Sequence, residues 1–149
     1  MQAFTPSNPN YEGHVKIGFA RQNVMNTIGA QLRKVDPGEI EIELNFRDDL
    51  TQQHGYLHAG IVTIIADSAC GFAAYSLMPE NSEVLTVEYK VNFMAPARGE
   101  KFIATGRVIK PGRTLTVCAG EVVAIDGEAR KTIAIIQATM MSLAEGDNK

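Results

Sequence analysis

The segment from residue 60 to residue 78 constrains the fold of this chain more than any other stretch. Its nineteen residues are apolar, small or uncharged except for Asp67, and Pro79 follows directly. The run is too long for one strand, and proline cannot continue a helix, so the pattern predicts a helix that has ended before Pro79. Apolar residues occupy nearly all sides of this helix, which therefore belongs either in a bilayer or at the centre of a domain.

The composition of the segment favours the centre of a domain. Asp67 lies near its middle, small residues are frequent, and amphipathic strands follow it. A charged residue at mid-bilayer is costly, and a chain that continues as alternating strands does not resemble a membrane protein of the helical kind. We therefore predict no membrane span.

The flanking sequence alternates with a period of two, which predicts strands. Residues 28–35 and 39–46 flank Asp36-Pro37-Gly38, and four further strands follow the helix, running hairpin to hairpin over residues 84–93, 101–110, 114–125 and 130–142. The predicted fold class is α+β: a curled antiparallel sheet of about five or six strands wrapped around one long central helix. A single sheet cannot cover every side of that helix, so a homodimer at least is expected.

The length of 149 residues fits a single domain spanning residues 1–149. Prolines and a glycine in residues 1–13 predict a loose N-terminal arm, and residues 14–26 show a weak helical pattern. The polar tail over residues 144–149 is expected to fray.

Charge and cysteine content narrow the class of protein. The net charge of −3 argues against a nucleic-acid binder, and two cysteines without metal-type spacing favour a reducing compartment. The N-terminus lacks a signal-peptide pattern, so we expect a cytoplasmic protein. Residues 90–113 carry a local basic surplus, which is either a solvated strand face or a surface for a phosphorylated ligand: Lys90, Arg98, Lys101, Arg107, Lys110 and Arg113 against Glu100.

One stripe of the predicted helix is small and polar. By three-and-four spacing it contains Gly60, Thr63, Asp67, Gly71 and Ala74. A buried carboxylate is costly, so it is kept either for hydrogen bonds at a subunit contact or for chemistry. We favour chemistry, with a substrate or a partner helix approaching along the stripe.

The start of the helix supplies a complementary feature. Leu57-His58-Ala59-Gly60 leads into the N-terminus, where unpaired backbone N–H groups and the helix dipole favour developing negative charge. Such donors can polarise the carbonyl of an ester or thioester, while a nearby carboxylate activates water or attacks directly.

Other catalytic motifs do not fit the sequence. His54 and His58 have zinc-protease spacing, but Gly55 stands where that motif requires Glu, and no metal site is expected. A nucleophile elbow and nucleotide-binding glycine patterns are absent from the sequence. Cys70 lies in the apolar helix and is expected to pack rather than react. His58 is interpreted as structural or substrate-orienting rather than as an acid or base.

A set of spaced residues resembles the hotdog-fold acyl-CoA thioesterases, in particular the phenylacetate-pathway (PaaI-like) type. The signature is a Gln or Asn, a Gly three residues on, a His-Gly-Gly motif and an acidic residue nine after the His. The corresponding residues here are Gln52, Gly55, His58-Ala59-Gly60 and Asp67. Residues 86–97 and 110–114 also resemble later strands and a turn of the family, and the resemblance covers roughly residues 26–141.

The resemblance implies hydrolysis of an acyl-CoA thioester at the interface of a dimer or dimer of dimers, with no cofactor beyond the coenzyme A of the substrate. Asp67 would be the nucleophile or general base, Gln52 would place the attacking water, and the N–H of Ala59 would polarise the carbonyl. His58 and Gly60 would complete the entry, Thr86 would support the site, and the turn containing Lys110, Gly112 and Arg113 would contact the CoA phosphates.

The resemblance also implies that the acid and the helix entry come from different subunits. Ala59 replaces the first glycine usual in the family, which keeps the backbone donor but adds a methyl group. Two alternatives remain open: a non-catalytic acyl-CoA-binding or regulatory domain, and an acyl-thioester dehydratase or hydratase using His58 and Asp67.

Overall fold

A computed structural model describes residues 2–144, and in this range three α-helices and six strands follow one another in the predicted overall order. They are α1 (Tyr11–Arg21), α2 (Asn23–Ile28), β1 (Gln31–Asp36), β2 (Glu39–Asn45), α3 (Ala59–Tyr75), β3 (Ser82–Phe93), β4 (Lys101–Lys110), β5 (Leu115–Asp126) and β6 (Ala129–Ala144), with a short 3₁₀ turn at Asp48–Leu50.

The six strands form one antiparallel sheet in the order β1-β2-β4-β5-β6-β3. The predicted hairpins β1–β2, β4–β5 and β5–β6 are confirmed, whereas the expectation of a β3–β4 hairpin is wrong because β3 pairs with β6. The connection between them crosses the end of the sheet instead of turning back. Along it, the N–H of Met94 donates to the carbonyl of Ile133 and that of Glu100 to the carbonyl of Ile125, both at 2.8 Å.

Helix α3 lies against the concave face of this sheet, as predicted. The alternation in β2 sends Ile40, Ile42 and Leu44 into the core, where each is fully buried. In β4, Gly106 lies against the backbone of Ala69 on the helix, and a side chain at this position would collide with that backbone. The small residue therefore allows sheet and helix to approach closely.

The helix ends three residues earlier than the predicted limit of residue 78. Its last helical residue is Tyr75, and the hydroxyl of Ser76 donates to the carbonyl of Ala73 at 2.7 Å while accepting the N–H of Gly38 at 2.8 Å. This tie to the β1–β2 turn replaces a further helical turn before Pro79. No helix within residues 2–144 is long and apolar enough to span a membrane.

The N-terminal segment requires a correction. Helix α1 begins at Tyr11, inside the predicted loose arm, and the preceding residues pack onto the domain: the Ser7 N–H donates to the carbonyl of Leu77 at 3.4 Å, and Asn8 is buried. The single weak helix expected over residues 14–26 is two helices that meet at Gln22. The predicted frayed tail lies, apart from Ala144 at the end of β6, outside the described residues.

The two edges of the sheet differ. Strand β1 is short and carries the charges of Arg33 and Lys34, features that protect a free edge. Strand β3 spans 12 residues and has no second partner strand within residues 2–144. Five apolar side chains on and just after β3 are about half exposed, at 48–53%: Leu85, Val87, Tyr89, Phe93 and Met94. A long, apolar, unpaired edge marks a surface for association.

Candidate active site

Asp67 lies at the middle of α3 and is partly buried. The hydroxyl of Thr86 on β3 donates to Asp67 Oδ1 at 2.8 Å. Thr86 stands opposite the buried Met140 in the β3–β6 ladder, so it faces the helix. Thr86, the residue predicted to support the site, thus forms a direct hydrogen bond with Asp67.

The pKa of Asp67 is raised above its ordinary value. Burial is the main cause because it removes hydration from the charged form, and the hydrogen bond from Thr86 opposes the shift by favouring the carboxylate. A carboxylate with a raised pKa is a stronger base once ionised. This combination of partial burial and a single donor suits a general base or a nucleophile.

The approach to α3 is a tight loop held by its own backbone. An isolated bridge pairs Thr51 with Leu57, the N–H of Gln52 donates to the carbonyl of Tyr56 at 2.9 Å, and Gly55 has a positive φ of 81°. The Gln52 side chain accepts the N–H of His54 at 2.5 Å through Oε1. The positive φ at the turn explains why glycine suits position 55.

His58 is the N-cap of α3. Its Nδ1 accepts the backbone N–H of Gly60 at 2.8 Å, and a Cβ at position 60 would lie only 3.0 Å from that nitrogen. Glycine at position 60 therefore lets the imidazole close over the helix end. Gly60 is a predicted substrate-binding residue, and its N–H is used by this cap. Ala59 is the first helical residue, and no residue within 2–144 accepts its N–H.

Within one chain the predicted site residues form two separate groups. Ala59 and Asp67 are eight positions apart on α3, about 12 Å along the helix axis. Gln52 and Ala59 line one cavity of about 380 Å³, which we call the entry cavity, together with Tyr56, Leu57, Val62, Phe93, Ala95, Pro96, Ala97 and Ile133. Asp67 and Thr86 line a second cavity of about 70 Å³, the acid cavity, together with Gln22, Ser68, Gly71, Phe72 and Val84.

The predicted phosphate-binding turn joins β4 to β5 and lies at the other end of α3. Gly112 and Arg113 border a cavity of about 380 Å³, the turn cavity, with Phe4, Thr5, Ser7, Ala74, Leu77, Met78, Pro79, Pro111, Thr116 and Ser142. The N–H of Gly112 donates to Thr116 Oγ1 at 3.3 Å, and a side chain at position 112 would collide with the carbonyl of Leu115. Lys110 is exposed at the end of β4.

The residues of the basic surplus lie in different surroundings. Arg107 forms an ion pair with Glu39 at 3.0 Å, and Lys101 forms one with Glu43 at 3.9 Å. Both basic residues therefore belong to a network of ion pairs on the outer face of the sheet. Arg98 lies over the ring of Tyr56, 5.7 Å from its centroid, at the rim of the entry cavity. Lys110 and Arg113 have no recorded ion-pair partner within residues 2–144.

The two cysteines are free and buried. Burial raises the pKa of the Cys118 thiol to about 12 and raises that of Cys70 further, so neither is a thiolate near neutral pH. Both pack in the core, as expected for Cys70. No cluster of three or more metal-ligating side chains is found within residues 2–144.

Two residues of the acid cavity were missed by the sequence interpretation. Gln22 sits at the junction of α1 and α2, and its Oε1 accepts a hydrogen bond from the Ser68 hydroxyl at 3.0 Å. Ser68 follows Asp67 on the helix and is buried. The weak helical pattern around Gln22 carried no signal of this contact, because the two partners are 46 positions apart.

Comparison with known proteins places these features in a family. Residues 54–130, just over half of the chain, match the pattern of the thioesterase superfamily. A Saccharolobus solfataricus protein provisionally named an esterase is 31% identical over 73% of this chain and 71% of its own length. A 1,4-dihydroxy-2-naphthoyl-CoA hydrolase from Listeria monocytogenes is 25% identical over 78% of this chain and 93% of its own.

Solved structures share the whole architecture. A thioesterase family protein from Silicibacter pomeroyi superposes with a TM-score of 0.89 at 50% identity, covering 90% of this chain and 98% of that one. The E. coli PaaI protein of the phenylacetic acid degradation operon superposes with a TM-score of 0.81 at 17% identity, covering 91% and 94%. At that identity the second likeness concerns the fold.

Proposed function

The chain is a member of the thioesterase superfamily with the hotdog fold, and on that premise we propose that it hydrolyses an acyl-CoA thioester with Asp67 as base or nucleophile. The observation that carries the proposal is the partly buried Asp67, which accepts a hydrogen bond from Thr86 and lines the acid cavity. The relatives named as hydrolases or thioesterases support the reaction class.

In the proposed reaction, Asp67 activates a water molecule. An ionised Asp67 takes a proton from water as its oxygen attacks the carbonyl carbon; the C–S bond then breaks, and the CoA sulfur leaves with a proton as the thiol. Direct attack by the carboxylate would instead give a mixed anhydride that water opens, with the same products, free acid and CoA. In both routes negative charge develops on the carbonyl oxygen, which requires a donor.

The Ala59 N–H is the donor that suits this task. It lies at a helix N-terminus, lines the entry cavity and is not used by the His58 cap. Gln52 borders the same cavity and would help to place water or thioester there. The imidazole of His58 is engaged through Nδ1 in capping the helix, which disfavours the dehydratase alternative because that reaction needs a free histidine base.

We propose that a second copy of the chain completes the site. Strand β3 borders both cavities: Val84 and Thr86 near its start line the acid cavity, and Phe93 at its end lines the entry cavity. Pairing two β3 edges antiparallel about a twofold axis sets the start of one strand beside the end of the other. The entry cavity of one chain then approaches the acid cavity of its partner.

This pairing also covers exposed apolar surface. The half-exposed side chains of β3, including Tyr89 and Phe93, become the centre of the interface. Tyr89→Lys should convert the dimer to a monomer and abolish turnover, as measured by light scattering and activity. Ile17→Lys places the same charge at a 61% exposed position on α1 and should change neither. A fully dimeric Tyr89→Lys protein would contradict the β3 interface.

We assign the CoA phosphates to the β4–β5 turn. Lys110 and Arg113 supply positive charge there, and neither forms an ion pair within the described residues. Arg113 borders the turn cavity at the C-terminal end of α3. In the antiparallel dimer this end lies toward the N-terminus of the partner helix, on the side from which a thioester would enter.

The entry cavity is the proposed acyl site. Its walls are largely apolar, with Leu57, Val62 and Ile133 beside the rings of Tyr56 and Phe93. The methyl group of Ala59 projects where the family usually has only a glycine hydrogen, which narrows this cavity. The preferred acyl group is to be read from a panel of acyl-CoAs of different length and aromaticity.

The primary test is release of CoA thiol from that panel. Asp67→Asn keeps the size and shape of the side chain and removes the base, and we expect a loss of turnover of about 10²–10⁴-fold. Turnover unchanged in Asp67→Asn would contradict the assignment. Tight binding of acyl-CoA by the unaltered protein without hydrolysis would favour the non-catalytic alternative.

A mixing experiment tests whether the two halves come from different chains. Ala59→Pro deletes the proposed donor and Asp67→Asn deletes the base, so each homodimer should be inactive. A heterodimer of the two contains one site with both defects and one intact site, and an equal mixture after exchange should recover about a quarter of normal activity by statistical assortment. No recovery, with exchange verified, would place both halves in one chain.

A further inference from the structure

The acid cavity contains the polar side chain of Gln22, which has no role in the reaction proposed above. Its volume of about 70 Å³ has room for at least one water molecule. Asp67 and Gln22 both line it, and within residues 2–144 no direct hydrogen bond joins their side chains. Water between the two side chains is therefore the natural bridge.

The backbone fixes the position of Gln22. It joins α1 to α2 with an extended conformation, φ −80° and ψ 94°, while its N–H donates to the carbonyl of Phe19 at 3.1 Å and its carbonyl accepts the N–H of Met25 at 3.0 Å. Met25 and Val15 are fully buried and anchor the two helices. The side chain thus extends from a joint that is held on both sides.

Ser68 fixes the orientation of the carboxamide. Its hydroxyl donates to Gln22 Oε1 at 3.0 Å, although a helical serine commonly bonds back to its own helix. The amide oxygen faces Ser68, so the planar NH₂ group is turned away from Ser68. The hydroxyl of Thr86 already donates to Asp67 Oδ1, which leaves the Gln22 amide as the side-chain N–H donor lining this cavity.

We propose that Gln22 is a positioning residue of the active site, whose Nε2 donates to the water held by Asp67. A water that gives its proton to a carboxylate must also be oriented for attack. A hydrogen-bond donor at one lone pair of the water oxygen directs the other lone pair toward the carbonyl carbon. Gln22 fills that role within the same chain as Asp67, whereas Gln52 would act from the partner subunit. Ser68 sets the amide, and the α1–α2 joint sets its distance.

Two substitutions of Gln22 separate a positioning role from a packing role. Gln22→Met keeps the length and removes the donor, and should lower kcat at least about 10-fold with KM within about twofold. Gln22→Glu retains an acceptor for Ser68 but places a second carboxylate across the cavity, and should raise the pKa of Asp67 by about one unit or more. Gln31→Met is the control: it makes the same Gln-to-Met change at the exposed start of β1 and should alter neither kcat nor the pKa of Asp67.

The pKa of Asp67 is to be followed by carboxyl ¹³C NMR, with the resonance assigned from Asp67→Asn. Asp67 is the titratable side chain among the described residues that line the cavity; Cys70 on α3 is buried, and Glu88 on β3 is 3.3 Å from Thr139 on the outer face. A shift of the Asp67 resonance in Gln22→Glu therefore reports the charge at position 22.

The kinetic arm rests on the proposed hydrolysis, but the NMR arm does not. An Asp67 pKa within about 0.3 unit of the unaltered protein in Gln22→Glu overturns the inference, since opposed carboxylates across one small cavity must interact. A kcat within about twofold in Gln22→Met also overturns it. If the protein hydrolyses no acyl-CoA yet the pKa shift occurs, hydrolysis fails and the water-mediated link between Gln22 and Asp67 is supported.

Discussion

Replacing Ala59 by proline removes one backbone N–H and so tests the role of that donor alone. The residue is the first of α3, where proline is well accepted because its missing N–H is not needed by the helix. The preceding His58 has φ −60° and ψ 137°, which lies in the extended region that a following proline requires. The substitution should therefore leave the helix and the His58 cap in place.

The expected effects on rate and on stability have opposite signs. Loss of one oxyanion donor lowers kcat by about 10²–10³, equivalent to about 2.7–4 kcal/mol of transition-state stabilisation. A proline in a compatible conformation raises the free energy of unfolding by about 0.4–1 kcal/mol, because it restricts the unfolded chain. A structural defect would lower both quantities together.

The assay combines CoA thiol release with urea unfolding and a measurement of dimer content. Ala59→Gly is the matched comparison, since it changes the same side chain and keeps the N–H; its kcat should stay within about tenfold of the original, far above that of Ala59→Pro. A dimeric Ala59→Pro protein with kcat within about threefold of the original would refute the role of this N–H.

Asp67 and the β4–β5 turn provide further tests. The raised pKa of Asp67 means that the folded protein keeps this proton to higher pH than the unfolded chain, so stability falls as pH rises from 3.8 toward the folded pKa. Asp67→Asn should therefore be more stable than the original at pH 7, with the difference shrinking below pH 3.8 in urea unfolding; a less stable variant at pH 7 would contradict this. Substituting Lys110 and Arg113 by alanine should raise KM for acyl-CoA about tenfold and leave a thioester of N-acetylcysteamine, which lacks phosphates, unaffected; equal effects on both would argue against phosphate binding. Gly112→Ala should lower the free energy of unfolding by about 1–3 kcal/mol, because its methyl group meets the carbonyl of Leu115, and an unchanged urea midpoint would show that the turn can rearrange.

Local sequence patterns were sufficient for the six strands and the central helix, but not for α1 and α2. A period of two identified every strand, and an uninterrupted apolar run identified α3, because both signals depend on burial of residues that are close in the chain. The errors lie where distant contacts compete. Ser76 stops the helix by bonding to Gly38, and the 94–100 connection carries the chain across the sheet so that β3 meets β6.

The sequence named several residues that line the two cavities. The spacing of Gln52, His58 and Asp67 carried the resemblance, and a hydrogen bond joins Asp67 to Thr86, a second predicted residue. The hydrogen bond from the Gly60 N–H to His58 could not be foreseen, because it depends on where the imidazole ring lies over the helix end.

The sequence by itself determined the central helix, its single carboxylate and the donors at its start, since these follow from residue order over a few turns. Only the tertiary structure decided how they are distributed: about 12 Å of α3 separates Ala59 from Asp67, and each borders a different cavity along β3. It also brought Gln22 to Asp67 across 45 positions of chain. Such proximity depends on packing between elements, which no local pattern encodes.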